Sequence, residues 1–177
     1  KGWLVDAPAT VRAEQVSPLR GCVVVERALS KQSRIIQRYT LDAGSPRLDI
    51  RTTIEWRDQR RLLRALFPTA LRARSATYET QFGHLQRPAH RNTSWEQAAY
   101  EAPAQRWMDL SDEGLSEGLA VLNDCKYGHS CEGGTLGLSL VRGPIFPDES
   151  ADLGTHELTY SLMPHGGDWR GAKVDHQ

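Results

Sequence analysis

Hydrophobic and polar positions alternate along much of this chain. In "RLDIRTTIEW", Leu48, Ile50, Thr52, Ile54 and Trp56 fall on one side of an extended backbone, and Arg47, Asp49, Arg51, Thr53 and Glu55 fall on the other. "THELTYSLM" repeats the pattern, with His156, Leu158, Tyr160 and Leu162 alternating with Glu157, Thr159 and Ser161. "RIIQRYTL", "TYETQF" and "TLGLSL" behave alike, and "CVVVERAL" reads as a more buried strand. A period of two places successive side chains on opposite faces of a strand. Between these runs stand turn signals, "DAGSP", "FPTA", "CEGG", "RGPIFPDE" and "PHGGD". Many short strands joined by polar turns predict an all-β, antiparallel β-sandwich with few short helices.

Two segments depart from the alternation. "RDQRRLLRAL" is built of good helix formers, and Arg57, Arg61 and Arg64 could share a helix face before Pro68 ends it. Propensity leaves helix and strand equally open there. "SWEQAAYE" predicts a short helix, with Ser94 and Gln97 at capping-box spacing.

Composition narrows the setting. A chain of 177 residues suits one β-sandwich domain spanning 1–177. The 22 basic and 22 acidic residues balance, so no global field draws the chain to nucleic acid. The halves differ, with 17 Lys/Arg against 9 Asp/Glu in residues 1–100 and 5 against 13 thereafter, as expected of halves that pack or pair together. No apolar run approaches the roughly 20 residues of a membrane-spanning helix, and a membrane partner is not expected. Three cysteines, Cys22, Cys125 and Cys131, fit a reducing compartment, hence a cytoplasmic setting, better than a disulfide scaffold. Arg outnumbers Lys 18 to 4, which suggests a GC-rich genome and a bacterial source. The chain opens on Lys1 and is read as a piece of something longer.

Candidate chemistry concentrates in turns and strand ends. One cluster holds His84, Arg87, His90, Arg91 and Asn92 with Trp95; another, "LNDCKYGHS", holds Asn123, Asp124, Lys126, Tyr127 and His129. Two more hold Asp148, Asp152 and His156, and His165, Asp168 and Trp169. Three readings compete. The histidines with nearby aspartates could ligate zinc, yet no HxH or HExxH pair stands among them, and no metal ligand is assigned. Planar Asn, Asp, Arg and His groups beside aromatic faces suit a sugar. The same residues also build Asx turns and strand corners. No Ser–His–Asp order, phosphate loop or dinucleotide fingerprint is visible. Asp124, Asp148 and Asp152 show no spacing that makes the flanking pair of a glycosidase, so no catalytic residue is assigned.

The runs "FGHLQRPAHRNTSW", "RWMDLS" and "NDCKYG", set within "ATYETQFGHLQRPAHRNTSWEQAAYEAPAQRWMDLS…GLAVLNDCKYG…LSLVRGP…PD…ADLGTHELTYSLMPHGGDW", resemble the C-terminal β region of glycoside hydrolase family 38 α-mannosidases. The similarity is greatest to the cytosolic and bacterial branch and covers roughly residues 45 to 169. The resemblance implies a galactose-mutarotase-like supersandwich, a C-terminal fragment of a larger enzyme with an α/β catalytic domain and a helical bundle. It implies a retaining mechanism through an Asp nucleophile, with zinc on the terminal mannose. Both belong to the absent catalytic domain, and no position here matches them. It also implies that "RRLLRALFP" is a strand.

On this resemblance the segment is non-catalytic and packs on the catalytic domain of the same chain. It would help shape a pocket for terminal α-D-mannose of oligosaccharides. Asn123, Asp124, Lys126 and Tyr127 are the expected pocket residues, and His90, Arg91 and Asn92 serve the pocket or the interdomain contact. Trp95, Trp107 and Trp169 are expected in core or interface packing. Related chains continue beyond "GAKVDHQ", so exposed sheet edges are expected to pair, with a homo-oligomer as one outcome. A freestanding carbohydrate-binding module is the alternative, and a self-sufficient metallo-hydrolase a third reading.

Overall fold

The computed structural model describes residues 5–114 and 117–177. Its alternating segments become antiparallel strands, because pairing buries one row of side chains while satisfying the backbone. The chain divides into two compact units, Lys1–Leu62 with Val141–Tyr160, and Leu63–Leu140 with Ser161–Gln177.

The first unit is a meander of β1 (Ala9–Ser17), β2 (Arg20–Ala28), β3 (Arg34–Asp42) and β4 (Leu48–Trp56), hydrogen-bonded in that order. The period-two reading of β4 is realised. Ile50, Thr52, Ile54 and Trp56 are buried, and Arg51 between them is exposed. Buried Tyr160 accepts a hydrogen bond from Gln37 Nε2 at 2.6 Å. On the other face ion pairs run across the strands, Arg38 to Glu14, Arg20 to Asp42 and Arg34 to both Glu26 and Glu55. Exposed pairs of this kind contribute about 0–1 kcal/mol each, so the unit rests on its apolar face.

The second unit contains β5 (Leu62–Pro68), β6 (Ser75–Thr80), β7 (Gly83–Pro88), a single turn and a half of helix, α1 (Ser94–Ala98), and β8 (Ala102–Pro103). It continues through β9 (Trp107–Ser111), β10 (Glu117–Asn123), β11 (Gly128–Glu132) and β12 (Thr135–Arg142). The long β13 (Gly154–Gly166) gives its first half to one unit and its second half to the other. Here β5 pairs with β12, followed by β11 and β8, while β13 is followed by β10, β9, β6 and β7. Side chains from both sheets meet in one core: Tyr78, Met108, Leu110 and Val121 against Cys131 and Leu136, with Phe67 and Leu162 at its edge. This is an antiparallel sandwich, as the sequence predicts, and β5 is a strand despite its helix formers. Its ladder to β12 supplies what propensity does not.

The β13–β7 sheet is buried on both faces over its middle strands. On the face away from that core, Trp107, Ala120, Leu122 and Met163 are covered by the C-terminal segment through Trp169 and Val174. The simple alternation read in "THELTYSLM" therefore holds only to Tyr160, beyond which Ser161 and Met163 are also buried.

Candidate functional site

The stretch from Pro88 to Tyr100 is held in place by its backbone. Ala89 is buried, donates its N–H to Arg74 O at 2.8 Å and accepts from Gly133 N at 2.9 Å. Thr93, with extended φ and ψ, is the N-cap of α1. Its Oγ1 accepts from Glu96 N at 3.2 Å, and Glu96 Oε2 accepts from Thr93 N at 3.0 Å and Asn92 N at 2.6 Å. This is a capping box, one residue earlier than the Ser94–Gln97 box expected from sequence. These amides hold the Glu96 carboxyl below its ordinary range, with His90 close by at 3.6 Å. Arg91 straps the loop down by donating to Tyr100 O at 3.0 Å and pairing with Glu132 at 3.1 Å. None of α1 is buried, and Trp95 is 86% exposed, so it does not pack in the core of this chain.

Between this loop and β11 lies a cleft of about 200 Å³. Its lining includes Tyr78, Gln86, Arg87, His90, Arg91, Glu96, Tyr100, His129 and Ser130. The Arg87 guanidinium stands 5.6 Å from the centroid of the Tyr78 ring, and its Nε is buried without a hydrogen-bond partner. Leaving such a donor unmade costs about 1–3 kcal/mol, more when charged. Glu96 is the one carboxylate of the lining and already caps α1. The cleft therefore lacks the two flanking carboxylates that glycoside hydrolysis uses.

The Asn123 turn is built inward. Asn123 is buried at the end of β10, where Oδ1 accepts from Cys125 N at 3.1 Å and Lys126 N at 2.5 Å. Nδ2 donates to Gln105 O at 3.0 Å and lies 3.3 Å from His129 Nε2. His129 is fully buried with Nδ1 3.1 Å from Tyr127 O, and burial pushes its pKa down, so it stays neutral. The arrangement assigns Nδ1–H as donor to Tyr127 O and Nε2 as acceptor from Asn123. The turn presents Asp124 and Tyr127 at the surface and leaves Lys126 half-buried. Although Cys125 is exposed, partial desolvation, reinforced by Asp124, raises its thiol to about 11.

A second polar group lies on the outer face of the sheet. Asp109, 1% exposed, accepts from Ser111 Oγ at 2.6 Å and pairs with His165 Nε2 at 2.7 Å. The Asp109 hydrogen bond raises the His165 pKa against the opposing effect of burial. The imidazole lies against Gly118, where any Cβ would collide with the ring. Nearby, Glu79 accepts from Arg106 N at 2.6 Å and from its guanidinium at 2.7 and 3.1 Å. Trp107 and Trp169 are buried at 4.9 Å between ring centroids, with His84 edge-on to Trp169.

The structure thus brings His90, Arg91 and His129 to one cleft, while Asn92, Asp124, Lys126 and Tyr127 do not line it. Asn123 reaches it only through His129. Among the described residues no three His, Cys, Asp or Glu side chains converge on a point that could hold a metal. Sequence reading missed Tyr78, Glu79, Glu96 and Asp109. Two of these carried a visible signal: Asp109, a lone acid inside the apolar "WMDL", and Glu96, at capping-box spacing from Thr93.

Comparison with known proteins places this geometry. The family model for the "Glycosyl hydrolases family 38 C-terminal domain" matches residues 5–150. "Alpha-mannosidase 2C1" of Homo sapiens is 50% identical over 156 residues, covering 88% of this chain and 15% of that protein. "Alpha-mannosidase G" of Dictyostelium discoideum is 43% identical over 170 residues, covering 93% and 15%. The chain therefore spans about 15% of the length of the curated relatives it matches. An α-mannosidase from Enterococcus faecalis V583 has the same fold, with a TM-score of 0.82 at 19% identity over 96% of this chain and 23% of that one. An aldose 1-epimerase fold from Klebsiella pneumoniae is more distant, with a TM-score of 0.53 at 9% identity over 97% and 58%. This chain belongs to the C-terminal domain family of glycoside hydrolase family 38, a domain that is part of α-mannosidases.

Proposed function

We propose that this chain is a non-catalytic C-terminal β module of a longer, retaining, zinc-dependent exo-α-mannosidase that releases terminal α-D-mannose from oligosaccharides. The observation that carries the reading is the family match over 5–150 together with a cleft that holds one already committed carboxylate. Zinc would be held upstream, in the catalytic domain that the family resemblance implies. The module packs on the catalytic domain and helps to shape the sugar pocket. His90 and Arg91 lie on the cleft side of that contact, and Asp124, Lys126 and Tyr127 project from the Asn123 turn. Three free cysteines support a cytoplasmic setting, and the Arg-rich composition supports a bacterial one.

A second reading rests on Trp95, 86% exposed, with Tyr100 and Tyr127 more than half exposed. Such aromatic faces also serve a freestanding carbohydrate-binding module, in which case mannan would retain residues 1–177 on an affinity gel. The deciding experiment is hydrolysis of a chromogenic α-mannoside, with zinc, by the full-length gene product and by residues 1–177 side by side. Activity confined to the full-length protein is expected. Turnover by residues 1–177 alone would overturn the non-catalytic assignment.

A further inference from the structure

The charged side chains around the cleft differ in one respect. Arg91 is committed to Tyr100 O and Glu132, and Glu96 to the amides of Asn92 and Thr93 with His90 beside it. Arg87 alone among them makes no hydrogen bond to the described residues, and its Nε is buried. The guanidinium is held over the Tyr78 ring, so its plane is already oriented. An oriented guanidinium with no hydrogen-bond partner among the described residues matches a carboxylate, which takes two parallel N–H···O bonds from it. At about 200 Å³ the cleft is smaller than the roughly 300–1,000 Å³ typical of small-molecule sites. That volume accommodates one inserted side chain.

We propose that this cleft is a socket for a carboxylate, supplied by an aspartate or glutamate from elsewhere in the longer polypeptide, which docks on Arg87. The proposal rests on the reading of this chain as one module of a larger protein, of which it spans about 15% in its relatives. The socket fixes the register of the interdomain contact: one acid on the partner surface must meet Arg87, and a misplaced surface leaves two charges unpaired. Arg91, already paired with Glu132, does not compete for the incoming acid.

The test uses the full-length protein and follows hydrogen exchange in wild type, R87Q and R87K, alongside α-mannoside turnover of the wild type. In R87Q, exchange is expected to rise on the order of tenfold in two places: residues 83–100 and a segment remote in sequence that carries the donor acid. R87K should show a smaller rise in both. Exchange raised only in β6 and β7, or nowhere, would overturn the proposal and leave Arg87 as a packing residue over Tyr78. Protection that grows saturably with added acetate at constant ionic strength in wild type, and is absent in R87Q, would overturn the intramolecular source in favour of a free anion. Loss of the enzyme reading is separable, because it shows as absent turnover in wild type whatever the exchange pattern.

Discussion

Two polar segments that look alike in the sequence are built in opposite senses. "NDCKYGHS" closes on itself: Asn123 directs all its hydrogen-bonding capacity to Gln105, Cys125, Lys126 and His129, and His129 is sealed beneath it. "RPAHRNTSW" opens outward. Backbone bonds at Ala89, the Thr93–Glu96 cap and the Arg91 strap hold it, and no residue of its helix is buried. The first segment uses polar atoms to build a shape, and the second uses shape to present polar atoms. A count of hydrogen-bonding side chains cannot separate the two, because what differs is where the partners lie.

The comparison can be carried to its extreme with the Asp109–His165 pair, the most enclosed polar contact in the second unit. Asp109→Ala leaves a buried imidazole without its partner and should destabilise the chain by about 3–5 kcal/mol, read as a lower urea midpoint. The pair also carries a pH signature. His165 has a raised pKa in the folded chain, relative to an ordinary 6.5, so its contribution is fully present below about pH 6.5 and is lost as pH rises through the folded value. The stability difference between wild type and D109N should therefore shrink from pH 6 to pH 9. A difference that stays constant or grows would show that the imidazole is neutral throughout.

The inward turn comes next. Asn123→Ala strands two amides and one carbonyl and takes a partner from His129, at a cost of about 2–4 kcal/mol. Asn123→Asp keeps both Oδ1 acceptors and should recover part of that loss. Equal stability of the two variants would mean that the donated bonds, not the Asx turn, hold the segment. The smallest effect belongs to the outward loop. Thr93→Ala should cost about 1 kcal/mol, confined to faster exchange of amides 94–99 with the global midpoint nearly unchanged. A global loss as large as that of N123A would erase the distinction between the segments.

The same distinction explains what was legible beforehand. Strand β4 was readable because burial of Ile50, Thr52, Ile54 and Trp56 is a local property of alternation. Strand β5 was not readable from propensity, because its pairing with β12 is a tertiary fact, and it took the family resemblance to favour a strand. The helix was found, but its cap was displaced by one residue, since Ser94–Gln97 and Thr93–Glu96 both satisfy the spacing and only Glu96 reaches back to Asn92 and Thr93. Asn123 was read as a pocket residue because sequence displays its amide but not its four partners. Glu79 and Asp109 were invisible as anchors, as Arg106 and His165 stand 27 and 56 residues away along the chain.

Gly118 carries a consequence for how this domain can vary. Because an imidazole occupies the space where its side chain would stand, positions 118 and 165 cannot drift independently. Any residue larger than glycine at position 118 displaces the His165 ring, and a smaller residue at 165 opens a void that a side chain at 118 could fill. In a library randomised at both sites, survivors should fall into two correlated sets, glycine with a ring or a bulkier residue with a short one. A family alignment should carry the same covariation as a trace of this one contact.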